Sequence, residues 1–307
     1  FGIQDDIRVT DTLNVSAGMR YDLFGGNSRP AGNPNFLNRY GFTNTSYVSG
    51  RGLFQPRAGF DFTPVPRLSI RGGGGIFGGG TPDVYVGNSF SVSGVLSSTV
   101  TARITDGGLY QLNGSGTAAN AAIARQILNG VDINAVNSAA SAVIAGSDPT
   151  VTSTTSVNAL APNFKIPSQW RSTLSTTYRA NLGPLGDGWN FGLDGFFSKV
   201  RNQVLVVDIR SIPLTGVGSL TPDGRQRYRG LLGNNDNGQD LIVTNTSRGR
   251  SLVGVARFDK QFDTGIGLAA SFTYQHVKDQ SPLTSSQAGS LYGNSANLDP
   301  NLPAYGT

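Results

Sequence analysis

Side chains that make or break bonds are scarce in this sequence. It holds one histidine and no cysteine among 307 residues. Without a thiol there is no disulfide, no thiolate nucleophile and no cysteine-bound metal. His276 has no second histidine with which to share a metal, and nothing in the residue order sets a serine and a carboxylate beside it for nucleophilic catalysis. Two phrases imitate ligand loops. Gly73-Gly74-Gly75-Ile76-Phe77-Gly78 fits G-x-G-x-x-G, but Gly80-Thr81-Pro82 follows it, where a dinucleotide fold needs a helix to open. The glycines are better read as places where neighbouring side chains approach a strand. Asn234-Asn235-Asp236-Asn237-Gly238-Gln239-Asp240 alternates oxygen donors around a glycine, yet it lacks the terminal glutamate of a calcium loop and reads as a polar turn. The expectation is a protein that is not an enzyme and holds no cofactor and no metal.

What remains is charge placed at every second position of extended phrases: Arg20, Asp22, Arg57, Asp61, Arg71, Arg171, Arg179 and Asp194. At that spacing the side chains leave a strand on one face. They can solvate a water-filled interior, brace another segment through ion pairs, or line the path of a charged solute. Residue order leaves these uses open.

The elements that carry those charges are long strands. From Leu13 to Leu23, Leu13, Val15, Ala17, Met19, Tyr21 and Leu23 share one face, and Asn14, Ser16, Gly18, Arg20 and Asp22 the other. Strict period 2 means a strand with one apolar and one polar face, and its length suits the ~9–11 residues of a tilted membrane-crossing strand. The pattern recurs at 54–62, 170–179, 189–194 and 266–275. Eight strands fall into four hairpins: 1–9 with 13–24, 54–62 with 68–77, 169–181 with 189–207, and 252–262 with 266–278. Gly, Pro or Asp stands at each turn. Long segments at about 25–53, 78–168, 208–251 and 279–307 join or follow the hairpins. Short turns alternating with long loops match an outer-membrane barrel, whose long loops face outside. Tyr21, Trp170, Tyr178, Trp189 and Tyr274 lie near strand ends on the apolar face, where an aromatic girdle belongs. A soluble β-sandwich would instead need shorter strands and more even loops.

Composition agrees. Charged residues make up 14% and hydrophobic residues 37%, with 42 glycines, as expected when half of each strand faces lipid and half a polar lumen. With 16 Phe and 10 Tyr the chain is not a disordered one. The net charge of +5 is dispersed, with no basic run interleaved with aromatics for nucleic acid. No run of ~18 apolar residues marks a transmembrane helix, and no signal-peptide pattern opens the chain. The reading is an internal piece, 1–307, of a barrel domain, with plug and signal peptide absent from it. Within 78–168, Thr117–Asn129 and Asn134–Ala145 read as short helices, each ended by a glycine, with a Ser/Thr tract at Thr150–Ser156. They would form a partly helical loop over the barrel mouth.

Several phrases resemble one family. Gln4-Asp5-Asp6 before Leu13-Asn14-Val15-Ser16-Ala17-Gly18-Met19-Arg20-Tyr21-Asp22 resembles a hairpin of TonB-dependent outer-membrane receptors. So does Gln55-Pro56-Arg57-Ala58-Gly59-Phe60 with Ile70-Arg71-Gly72-Gly73-Gly74-Gly75-Ile76-Phe77. Pro222-Asp223-Gly224-Arg225-Gln226-Arg227-Tyr228, and Tyr274 through Lys278-Asp279 to Ser285-Ser286-Gln287-Ala288, resemble the Oar-like subfamily, which carries a carboxypeptidase-regulatory-like domain. The resemblance implies an all-β fold: a partial transmembrane antiparallel barrel, eight strands of about 22, in the outer membrane of a Gram-negative bacterium. It further implies the barrel lipid, a plug domain, TonB and an unknown external ligand as partners, with no nucleic acid. The implied function is energised uptake. A passive porin-like channel, and a surface adhesin or protein-export component, are the alternatives.

Overall fold

The computed structural model describes residues 1–78, 83–96, 100–132, 134–146, 155–233, 236, 238–281, 283, 285, 287–293 and 299–302. The Gly80-Thr81-Pro82 phrase, Asn234, Asn235, Asn237 and most of the Thr150–Ser156 tract lie outside the described residues.

The strands are β1 (Gly2–Thr10), β2 (Leu13–Leu23), β3 (Gly52–Val65), β4 (Leu68–Gly78), β5 (Ala102–Ile104), β6 (Tyr110–Leu112) and β7 (Val157–Leu160). They continue as β8 (Ser168–Asn181), β9 (Asp187–Asp208), β10 (Ser211–Pro213), β11 (Tyr228–Gly230), β12 (Asp240–Thr246), β13 (Gly249–Gln261) and β14 (Gly267–Asp279). The helices are α1 (Pro34–Tyr40), α2 (Asp83–Ser91), α3 (Ala118–Asn129), α4 (Ser138–Ala145) and α5 (Ala288–Gly293).

Eight long strands make an antiparallel wall in the order β1-β2-β3-β4-β8-β9-β13-β14. They are the four expected hairpins, with ends shifted by at most a few residues. Because every pairing is antiparallel, the short turns gather at one end of the wall and the long connections at the other. Gly265, with φ +86, supplies the left-handed residue of the last turn, which closes through Phe262 N–H to Ile266 C=O at 2.9 Å. β1 and β14 are both edges among the described residues, so the wall does not close.

β9 runs for 22 residues, about 73 Å at ~3.3 Å per residue. Its partner on one side holds a single register from Asp259↔Asn190 to Leu241↔Asp208. β12 and β13 are therefore one strand interrupted at Ser247–Arg248. β7 then pairs parallel to β12, from Val157↔Asp240 to Leu160↔Val243. The expected loop 208–251 thus needs correction, because 240–246 is strand that carries the ladder beyond the wall. The helices need a second correction. The two expected in 78–168 form, as α3 and α4, but α2 adds a third helix in that connection and α1 and α5 add helices in two others. α1 is capped by Asn33, whose side chain accepts from Phe36 N–H at 3.1 Å, with Pro34 at the first turn and Gly41 at φ +73 beyond the end. α4 starts at Ser138 rather than Asn134 because Asn137 caps it, accepting from Ala140 N–H at 3.0 Å.

The buried apolar core lies at the loop end. Phe36, Val48, Val86, Val157, Leu160, Phe164, Val204, Val206, Leu241 and Val243 form it, closed by Ala288 and Tyr292 of α5. We call this end the lobe.

Candidate functional site

Cross-strand register assigns every side chain of the wall to a face. Met19 opposes Pro56, Tyr21 opposes Phe54, and Ala58, Phe60 and Phe62 oppose Gly74, Gly72 and Ile70. The row continues through Leu174, Leu193 and Phe272. Partners directly opposed in a ladder share a face, so this is the apolar face. Its large side chains stand in the open: Leu193 is 63% exposed and Phe272 70%. The five expected girdle aromatics fall on it, four of them in two groups. Tyr178 and Trp189 lie toward the turns, and Trp189 donates from its indole N–H to Leu185 C=O at 3.0 Å. Tyr21 and Trp170 lie toward the lobe, whereas Tyr274, level with Gly254 and Gly195, falls between the two groups. Ten residues of β9 separate the register rows of Trp189 and Trp170. That is ~33 Å of strand, or ~25 Å of height at a ~40° tilt, the height of a lipid-facing band.

The eight candidate charges all lie on the polar face, and the structure divides them into three groups. Arg71 pairs with Asp61 at 2.9 Å, directly opposed in the ladder. Asp194 accepts from Ser175 and from Arg257 Nε at 3.0 Å. Arg257 lies flat across Gly192, where a β-carbon would come within 2.7 Å of its guanidinium stem. Arg179 sits at the turn end opposite Asn190. The third group lies toward the lobe. Arg20 binds Asp22 at 2.7 Å, and Gln55 Nε2 donates to the same carboxylate at 2.8 Å. Gln55 is fully buried, and its carbonyl oxygen accepts from Gly78 N–H and from Arg57, both at 3.2 Å.

Arg57 and Arg171 differ from the rest. Both guanidiniums stand over the Phe77 ring, at 4.4 Å and 5.8 Å from its centre. Gly75 leaves room for the Arg57 stem, since a β-carbon there would lie 2.9 Å from Arg57 Cγ. Arg171 has the Gln169 amide within reach. Neither arginine pairs with a carboxylate among the described residues. The two face a cavity of about 680 Å³, which Ser198, Gln203, Ser251 and Asp279 also line. Gln55, Phe77 and Arg257 were not foreseen as site residues. Gln55 and Phe77 are uncharged, and only the ladder shows what they hold.

Residues 2–306 match the family model of the outer membrane beta barrel domain. The chain belongs to that family. The apolar face is therefore the lipid face, the polar face lines the lumen, and the protein sits in the outer membrane of a Gram-negative bacterium. No curated protein matches. Among solved structures the chain is similar to the siderophore receptor PirA from Pseudomonas aeruginosa, at 12% identity and TM-score 0.42, over 90% of this chain and 33% of that one. It is similar to PirA from Acinetobacter baumannii at 11% identity and TM-score 0.43, over 89% and 27%. A mutant of the ferric enterobactin receptor PfeA from P. aeruginosa matches at 10% identity and TM-score 0.41, over 89% and 26%. The chain thus spans about a third of the length of the first of these.

The lobe contains a second cluster. Arg210, fully buried, donates to both oxygens of Asp236, at 2.6 and 2.9 Å, and lies 3.7 Å from Asp240. Asp240 also meets Arg39 at 3.0 Å, Tyr40 Oη–H at 2.7 Å and Val157 N–H at 3.0 Å. Gly238 lies flat on the Arg210 guanidinium, leaving no space for a β-carbon. Within the segment that imitates a calcium loop, both carboxylates therefore serve arginine. Burial pushes the Asp240 carboxyl up, against the pull of Tyr40 and the two arginines. Asp236 is also desolvated, yet Arg210 and the amides of Leu232 and Gly238 hold it below the usual carboxylate range.

Proposed function

We propose that this wall belongs to a plugged, TonB-dependent uptake receptor of the Oar-like kind. Its long connections face outside, and an external ligand with an anionic group meets Arg57 and Arg171. The observation that carries this reading is the cavity at the lobe end of the lumen face. It presents two guanidiniums on one aromatic ring with no carboxylate of their own. Elsewhere on the lumen face Arg20, Arg71 and Arg257 are each paired with an aspartate, which is how a wall solvates itself. The resemblance of the Arg20-Tyr21-Asp22 and Gln55-Pro56-Arg57 phrases to the receptor family supports the plug and TonB. The mechanism is differential binding between closed and open states rather than bond chemistry.

The full-length protein in a planar bilayer should give no steady ion conductance until denaturant loosens its plug. Steady conductance from the start would instead mark the passive channel. Protease added to intact cells should cut within α3 and α4 and spare the short turns.

A further inference from the structure

The lipid face carries a row that the uptake function does not use. Reading across five adjacent strands at one level, the residues are Ile76, Trp170, Lys199, Arg250 and Lys278. Each opposes the next in register, so all five leave the sheet on the same side. Ser198, Ser251 and Val277, the neighbours of the three cations, take the lumen side, where the Ser198 and Ser251 hydroxyls bond at 2.7 Å. Three cations thus stand side by side by register on the lipid face, about 5 Å apart at Cβ, with Arg250 and Lys278 at the rim, where the lumen cavity also reaches them. One step outward along the same register come Arg201 and Arg248, both exposed. An outward groove of about 350 Å³ beside them is lined by Arg201, Lys165, Phe54 and Ile76.

This arrangement is unfavourable by itself. Like charges directly opposed across strands destabilise a sheet, and cations on the lipid face are tolerated only near its boundary. Trp170 in the same row marks that boundary. On the lumen face the arginines Arg20, Arg71 and Arg257 have aspartate partners, and at the turn end Arg67 is held by Asp187. Lys199, Arg250 and Lys278 have none among the described residues. No acidic residue stands at the outward positions of β8, β13 or β14, or of β9 from Trp189 to Arg201. Two outward positions further into the lipid band, Gly195 opposes Gly254. Their missing side chains floor a second outward groove of about 480 Å³, walled by Leu174, Leu193, Phe272 and Tyr274. The floor lies ~13 Å along the strand from the cations. A cationic shelf above an apolar slot is complementary to an amphiphile with a phosphorylated headgroup and acyl chains.

We propose that Lys199, Arg250 and Lys278, extended by Arg201 and Arg248, bind the phosphate groups of an outer-leaflet glycolipid, one acyl chain of which lies in the Gly195–Gly254 slot. The inference rests on the lobe facing outside, as in the reading above.

The test uses the full-length protein in phosphatidylcholine nanodiscs doped with lipid A, measured by native mass spectrometry. Lipid A bearing both phosphates should bind. Its dephosphorylated form should bind as weakly as the triple variant Lys199→Gln, Arg250→Gln, Lys278→Gln. Affinity should fall about fivefold per charge removed, whereas Lys199→Arg with Lys278→Arg should retain it. Gly195→Leu with Gly254→Leu should weaken binding without changing the phosphate dependence. Equal affinity of the triple variant and the parent would overturn the proposal. So would displacement by millimolar inorganic phosphate, which would make the row a site for a soluble anion. Protease accessibility of α3 in whole cells reads the orientation separately, so an inverted barrel would be told apart from a failed lipid site.

Discussion

On β9, Leu193 is 63% exposed, while Val204 and Val206, further along the same strand, are 1% and 4% exposed. The register of β9 against β13 and β12 is the same at both places, so a shift in pairing does not account for the change. In the wall, apolar side chains turn outward and the strand is held by its neighbours' hydrogen bonds, which suits a strand that meets lipid on one side and a wet lumen on the other. In the lobe the chain returns to the ordinary solution, with apolar side chains inside and charges buried only where they are paired. One strand therefore crosses from a lipid solvent to water, and the two regions should fail under different insults.

The largest separation is expected from Arg210→Met. The change leaves Asp236 without its guanidinium in a dry core, and breaking such a pair from one side costs about 3–5 kcal/mol. Hydrogen exchange should show amides of β7 and β12 losing protection while those of β2, β3 and β13 keep theirs. Loss of protection across the wall as well would mean that the lobe and wall fold as one unit.

The converse insult is Leu193→Arg, midway between the two aromatic belts. A cation at that depth costs about 2–4 kcal/mol, read as reduced folding yield into lipid vesicles. The control is Thr173→Arg, on the lumen face of β8 opposite Gly73, where the cost should be near zero. Equal effects at both positions would refute the assignment of faces.

How much of this was legible in the sequence follows the same divide. The wall was readable because five of its eight strands carry a period-2 phrase of six to eleven residues and each turn carries its own Gly, Pro or Asp. The lobe was not. β7 has four residues, all buried, so it shows no alternation, and its partner β12 lies 83 positions away across the parallel pair Val157↔Asp240. The polar face was legible for charged residues, and all eight candidates lie on it. What those charges do was not, because Gln55 ties Asp22 to Gly78 and Arg57 only once three strands are in register. The cation row was missed for a simpler reason: Lys199, Arg250 and Lys278 are unremarkable one at a time, and only cross-strand pairing puts them abreast.

Acid should also separate the two regions. The folded-state pKa of Asp236 is depressed, so its contribution to stability is present above the unfolded value of ~3.9 and is lost as pH falls through the folded one. Asp240 acts oppositely. Its raised pKa means that the folded lobe binds that proton more readily, so mild acid does no harm through it. Lobe protection should then hold down to about pH 4 and decline below it, and Asp236→Asn should remove the decline. A decline that persisted in Asp236→Asn would refute this assignment.

The smallest effect concerns the seam between β3 and β4. Phe60 lies over Gly72, and a β-carbon there would come within 2.6 Å of the ring and 3.2 Å of Leu174 Cδ1. The bare glycine lets the aromatic ring cover exposed backbone on the lipid face, a device that stabilises sheet edges and barrel walls. Gly72→Ala forces the ring aside at a cost of about 1 kcal/mol, because a ring facing fluid lipid has room to turn. In a close-packed interior the same overlap would cost more. Gly238 offers that comparison, since its β-carbon would strike the buried Arg210 guanidinium at 2.4 Å and Arg210 is held by two aspartates. Gly238→Ala should therefore destabilise the lobe more than Gly72→Ala destabilises the wall, as measured by denaturant midpoints of the two regions. The reverse order would mean that lipid confines the side chains of the wall as tightly as the core confines those of the lobe.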